Sequence, residues 1–204
     1  MNLTHGELPR LIAITDWQMP LPLMLERIEM LASLGPRVAI QHRNPSCAGR
    51  LFWQQAIQLK GICQKYQNPL FINGRLDVAR LLEAHLHLPS TAPATTELRP
   101  LMPAGTLISV AVHSTAEALR HRGADLALLS PVFRPRSKID SRPILGVDGF
   151  IALSTALTCP SYALGGIDGI HAGLLPRGTP VASLSLLHSK NLVQEAQQIL
   201  SLPN

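Results

Sequence analysis

The chain has 204 residues, 46% hydrophobic and 15% charged, which suits one globular domain with a substantial core and makes two domains unnecessary. Its net charge is +5, yet aromatic residues are only 4% and no dense Lys/Arg run occurs, so nucleic acid is not the expected partner. The three cysteines, Cys47, Cys63 and Cys159, have unrelated spacings that fit neither a disulfide framework nor a zinc ribbon.

The N-terminus lacks the basic start and apolar stretch of a signal peptide, and no apolar run is long enough to span a bilayer, so a cytoplasmic protein away from membranes is expected. Short apolar runs at residues 11–15, 37–41, 70–72, 85–88, 107–111, 126–130, 161–164 and 181–184 read as strands. Helical spacing occurs at 22–34, 50–66, 75–82, 114–122, 147–157 and 192–200, with a weak fourth helix near 95–101. In the first helix Leu23, Leu25, Ile28, Met30 and Leu31 are expected mostly on one side. Ser114 with Glu117 three residues on has the form of a capping box. About eight alternations of strand and helix in this length favour a single (β/α)₈ TIM barrel over residues 1–204 rather than an open doubly wound sheet.

In such a barrel chemistry gathers at the carboxyl ends of the strands. Gln41 and Arg43 share a parity there and are expected to point inward, with His42 facing the helix layer. Arg43 offers a planar fork for phosphate or carboxylate, while Gln41 and Asn73 offer amides that can orient a heterocycle. Leu164-Gly165-Gly166-Ile167 follows the seventh strand and Leu184-Ser185 closes the eighth, the two places where barrels commonly hold phosphate. Glycine there lets backbone N–H groups approach an anion, although a Gly pair also serves as a plain tight turn. The basic cluster Arg134, Arg136, Lys138 and Arg142 suits a small anionic ligand or a solvated loop.

Taken together, Leu11-Ile12-Ala13-Ile14-Thr15-Asp16, Ile40-Gln41-His42-Arg43, Phe71-Ile72-Asn73-Gly74-Arg75, Val112-His113-Ser114, Gly123-Ala124-Asp125, Pro131-Val132-Phe133 with Lys138, and the Gly165-Gly166 turn resemble the thiamine phosphate synthase and TenI superfamily over nearly the whole chain. The resemblance implies that Gln41, Arg43, Asn73 and Lys138 fall on positions that bind the pyrimidine diphosphate in the synthases. It places Gly166 and the backbone near Leu184 and Ser185 on the thiazole phosphate site.

The chain departs from the synthase pattern where magnesium and diphosphate are held. Gly74 and Ala92 replace the two metal-binding Asp residues, Pro45 replaces a Lys, Ala111 a Ser, and Pro135 and Ser137 a Thr pair. No metal or other cofactor is therefore expected. Asn73-Gly74-Arg75 and Leu88-Pro89-Ser90 resemble TenI, the thiazole tautomerase branch, which needs anion anchors and one proton shuttle. The His associated with catalysis in that branch falls on Pro131. His113 and, less strongly, His87 remain as shuttles, with Lys138 as a further catalytic residue and Arg75 as a further substrate-binding one; both His positions also suit purely structural roles, His113 at a helix start and His85 and His87 between barrel and helices. The expected ligand is a small phosphorylated heterocycle, thiazole or thiamine phosphate. Three readings stay open: a TenI-like isomerase, a divergent thiamine phosphate synthase, and a non-catalytic binding or regulatory paralogue. A homo-oligomer is compatible with each.

Overall fold

The computed structural model describes residues 8–134 and 143–203. Eight parallel strands close in sequence order into a barrel: β1 (Leu11–Ile14), β2 (Val38–His42), β3 (Leu70–Asn73), β4 (His85–Leu88), β5 (Ile108–Val112), β6 (Leu126–Leu129), β7 (Ser161–Leu164) and β8 (Val181–Ser183). The ring closes where β1 pairs with β8, Leu11 opposite Val181. Helices α1 (Leu21–Ala32), α2 (Gly49–Tyr66), α3 (Leu76–Leu81), α4 (Thr95–Leu98), α5 (Thr115–Arg120), α6 (Gly146–Ser154), α7 (Gly169–Ala172) and α8 (Leu192–Ser201) follow the strands in turn. Sequence periodicity anticipates every strand to within a residue or so at each end. The four-residue α7 was not expected: Asp168 nucleates it by accepting the N–H groups of Ile170 and His171, a local capping effect with no apolar period behind it.

Two apolar layers follow from the strand period of two. Inward side chains, Ile12, Ile14, Ala39, Phe71, Leu126, Leu128, Tyr162 and Ala182, fill the barrel, while their neighbours Leu11, Ala13, Val38, Ile40, Ile72 and Leu86 meet the helices. In α1 the buried stripe is Met24, Ile28, Leu31 and Ala32. Leu23 and Met30, expected on that face, flank it and are 42% and 40% exposed. Leu23 and Met30 each precede a stripe residue by one position, about 100° of rotation, and being seven apart they share one side of the helix, so both fall outside the stripe.

The histidines of β4 are also reassigned. His85 stacks on Phe71 with centroids 5.0 Å apart, inside the barrel and not in the helix layer, and His87 shares its parity. His42 does face the helices, packed 4.2 Å from the Phe52 ring of α2. Among the described residues no helix is long and apolar enough to cross a membrane.

Phe71 is fully buried against this inner layer. Phe71→Ala is expected to cost about 3–5 kcal/mol, read as a lower urea midpoint with an unchanged slope, because the closed barrel cannot collapse onto the void.

Candidate active site at the barrel mouth

A cavity of about 500 Å³ opens at the carboxyl ends of the strands. It gathers Gln41, Arg43, Asn73, His87, His113, Gly165, Gly166, Leu184 and Ser185, contributed by six strands or the turns that follow them. Pro45, Ala111 and Pro131, three of the places where the sequence departs from the synthase pattern, also line it, whereas Gly74 and Ala92 are not among its wall residues.

Arg43 is fixed from two sides. Its N–H donates to Thr15 Oγ1 at 2.8 Å, and the same hydroxyl donates back to its carbonyl at 3.1 Å. Its guanidinium lies 4.6 Å from the centroid of the Trp17 ring, a cation–π arrangement that presents a flat cationic surface in the cavity wall. Gln41 beneath it is 2% exposed.

Arg75 is not among the cavity residues. Its guanidinium makes a two-pronged pair with Asp77, at 3.0 and 2.7 Å, and leans on the Phe52 ring. Substrate contact by Arg75 is thus not supported by its placement: the two residues form a local ion pair at the start of α3. Lys138, with Arg136 and Arg142, lies outside the described residues.

The two cavity histidines differ in chemistry. His87 Nδ1 is 2.7 Å from Ser109 Oγ, and burial, reinforced by the charges of Arg43 and His121, pushes its pKa down to about 3. It therefore stays neutral at ordinary pH. His113 Nδ1 lies 2.5 Å from the Ser130 carbonyl, which can only accept, so that nitrogen carries the proton and Nε2 holds the lone pair in the neutral ring. The Ser114–Glu117 cap also differs from a simple capping box. Glu117 N–H donates to Ser114 Oγ at 3.3 Å, but the Glu117 carboxylate accepts from the His113 N–H at 2.6 Å, anchoring His113 itself.

At β7 the glycines are required by contact as well as conformation. Gly165 and Gly166 have φ of +99° and +64°, and a Cβ on Gly166 would sit 2.7 Å from the Arg134 carbonyl oxygen and 2.9 Å from Phe133 Cβ. The chain after β6 is laced to this turn by Val132 N–H to Leu164 O, 2.9 Å, and Phe133 N–H to Gly165 O, 3.0 Å. Across the cavity edge, Ser183 and Ser185 hydroxyls donate to the Ile167 carbonyl at 3.0 and 3.2 Å, which holds the β8 end beside the glycines.

Asp16 stands out in the sequence only as part of a motif, and nothing in the sequence singles out Trp17 or His188. Asp16 is buried, accepting the Gln18 N–H at 3.0 Å through Oδ1 and His188 Nε2 at 2.8 Å through Oδ2. A hard dication needs several oxygen ligands with free lone pairs. Gly74 and Ala92 bring none, Asp77 is paired to Arg75, Asp16 is already shared by two donors, and no group of three metal-ligating side chains occurs among the described residues. The described residues do not fit a magnesium diphosphate centre.

The family profile described as thiamine monophosphate synthase, TMP-TENI, matches residues 11–175. A putative thiamine-phosphate synthase 2 of Aquifex aeolicus is 33% identical over 164 residues, 79% of this chain and 87% of that protein. A thiamine-phosphate synthase of Clostridium botulinum is 30% identical over 171 residues, 82% of each chain. The solved thiamine phosphate pyrophosphorylase of Pyrococcus furiosus superposes with a TM-score of 0.80 at 22% identity, covering 96% of this chain and 95% of that one, which shows the shared barrel fold.

Two outcomes are expected. Gly166→Ala should lose about 1–3 kcal/mol from overpacking beyond the cost of its backbone conformation, whereas Gly74→Ala, with φ +69° and no neighbouring atom closer than 4.0 Å, should lose only about 1–2 kcal/mol; urea unfolding of both variants checks the difference. The pH dependence of stability has a definite sign. His42, His85 and His87 are pushed by burial from 6.5 down to about 4, 4 and 3. Below 6.5 the unfolded chain takes up protons that the folded chain refuses, so their contribution is full above that pH and falls towards pH 4 and 3. His42→Leu should flatten the stability slope between pH 6.5 and 5 by up to about 1.4 kcal/mol per pH unit, measured by urea midpoints.

Proposed function

The chain belongs to the thiamine monophosphate synthase and TenI family of thiamine biosynthesis, and from that premise we propose that it is a TenI-like protein that binds a phosphorylated thiazole and isomerises it without metal. The observation that carries this reading is the composition of the mouth. Anion-binding groups and an oriented imidazole line the cavity, while the positions that would hold a magnesium diphosphate are Gly74 and Ala92.

In this reading the phosphate rests against the Gly165-Gly166 turn and the backbone at Leu184 and Ser185, with the ring between that end and Arg43. Arg43 pairs with the thiazole carboxylate through its planar fork, and Gln41 and Asn73 orient the heterocycle. His113 Nε2 takes a proton from one carbon of the conjugated system and returns it at the other, so no atom is gained or lost. His87, whose pKa of about 3 makes it a weak base, serves as a neutral hydrogen-bonding wall. Lys138 stands in the proposal as a further anchor by family resemblance. A second reading, a binding or regulatory paralogue without turnover, is favoured by Pro131, which occupies the place of the usual TenI base.

Incubating the protein with the thiazole carboxylate phosphate and a chelator should give isomerisation, and His113→Ala should slow it by about 10²–10⁴-fold with ligand binding retained. Thermal stabilisation by thiazole phosphate with no turnover in the unaltered protein would select the paralogue reading. Thiamine phosphate formed in a single turnover from both precursors and magnesium would overturn the proposal in favour of a synthase.

A further inference from the structure

A second cavity, of about 550 Å³, adjoins the first on the β8 side. Asp16, Gln18, Gly166 and Ser185 line both, so the boundary between them is the place assigned above to the phosphate. A pocket for a terminal phosphate has no need of such a continuation.

The charges of this annex are unevenly committed. Asp16 is shared by Gln18 and His188, Asp168 accepts from the N–H groups of Ile170 and His171 and pairs with the His171 ring at 2.7 Å, and Glu195 accepts from Ser189 Oγ at 2.6 Å. Each carboxylate is thus already neutralised in part by a donor of its own surroundings. Lys190 is exposed on the annex wall and makes no ion pair with a described residue. His188 donates Nε2–H to Asp16, which turns the imidazole into a fixed polar edge. The segment that carries both is preformed: Arg27 of α1 donates to the carbonyls of Leu187 and Ser189.

We propose that this annex is a second-phosphate subsite, so that the mouth accepts a diphosphate ester of a thiazole or thiazolium, its inner phosphate at Gly166 and Ser185 and its outer phosphate against Lys190. The inference rests on the phosphate placement of the preceding subsection. It adds a ligand class, the diphosphate-tailed form of the same heterocycle, held by Lys190 of the β8–α8 segment and without the metal that the synthase pattern uses for diphosphate.

Isothermal titration in the presence of a chelator, with thiazole phosphate, thiamine phosphate and thiamine diphosphate, tests it. Thiamine diphosphate is expected to bind about tenfold more tightly than thiamine phosphate, and Lys190→Ala should erase that difference while leaving both monophosphates unchanged. Arg122→Ala, an exposed cation in the α5–β6 turn at the opposite end of the barrel, should leave the difference intact and controls for net charge. Equal or weaker binding of the diphosphate, or a preference that survives Lys190→Ala, overturns the subsite while the thiazole phosphate reading stands. Failure of thiazole phosphate itself to bind removes both.

Discussion

Two backbone hydrogen bonds, from Val132 to Leu164 and from Phe133 to Gly165, join the end of β6 to the end of β7, and the mouth of the barrel is built around them. They bring the chain so close to Gly165 and Gly166 that no side chain fits at either position. The same lacing keeps Pro131 in the cavity wall beside Ser130, whose carbonyl orients His113. A turn that could be read as an anion cradle alone is therefore also the brace of the proposed proton shuttle. Loosening it would disturb phosphate position and imidazole tautomer together.

Around that brace the cavity has an electrostatic character unlike that of a magnesium site. Among the described residues its one buried carboxylate, Asp16, is held by His188, the cation Arg43 is spread over Trp17, and His87 remains neutral because the barrel interior penalises its charged form. An anionic, planar ligand suits such a surface, whereas a diphosphate carrying a dication would find, among the described residues, no cluster of metal-ligating side chains to replace water around the metal. Overall similarity to synthases and the local chemistry thus describe different things: the first fixes the barrel and family, the second the reactions that these side chains can support.

Much of this was legible in the sequence because strand parity is a strong constraint. Gln41 and Arg43 inward and His42 outward follow from a period of two, and the Gly165-Gly166 turn follows from the positions of β7 and β8. What the sequence hid depends on side-chain reach. Arg75 directs its guanidinium to Asp77 and Phe52, a choice made by an adjacent carboxylate and a ring from another helix. Glu117 passes over the cap residue to the His113 N–H, and His188 meets Asp16 across 172 positions of chain. His85 and His87 were hard to place because imidazole suits either face of a strand; Phe71 and Ser109 as partners settle them inside.

On the proposed function one phosphorylated thiazole, and no metal, occupies the mouth in contact with the Gly165-Gly166 turn, the end of β8 and His113. A crystal structure with thiazole phosphate bound in the presence of magnesium tests it most directly. Phosphate oxygens are expected at the backbone of Gly166 and Ser185, and a ring atom within about 3.5 Å of His113 Nε2. A phosphate seated elsewhere, or a magnesium ion bound beside Asn73 and Ser90 with the ring remote from His113, would contradict it.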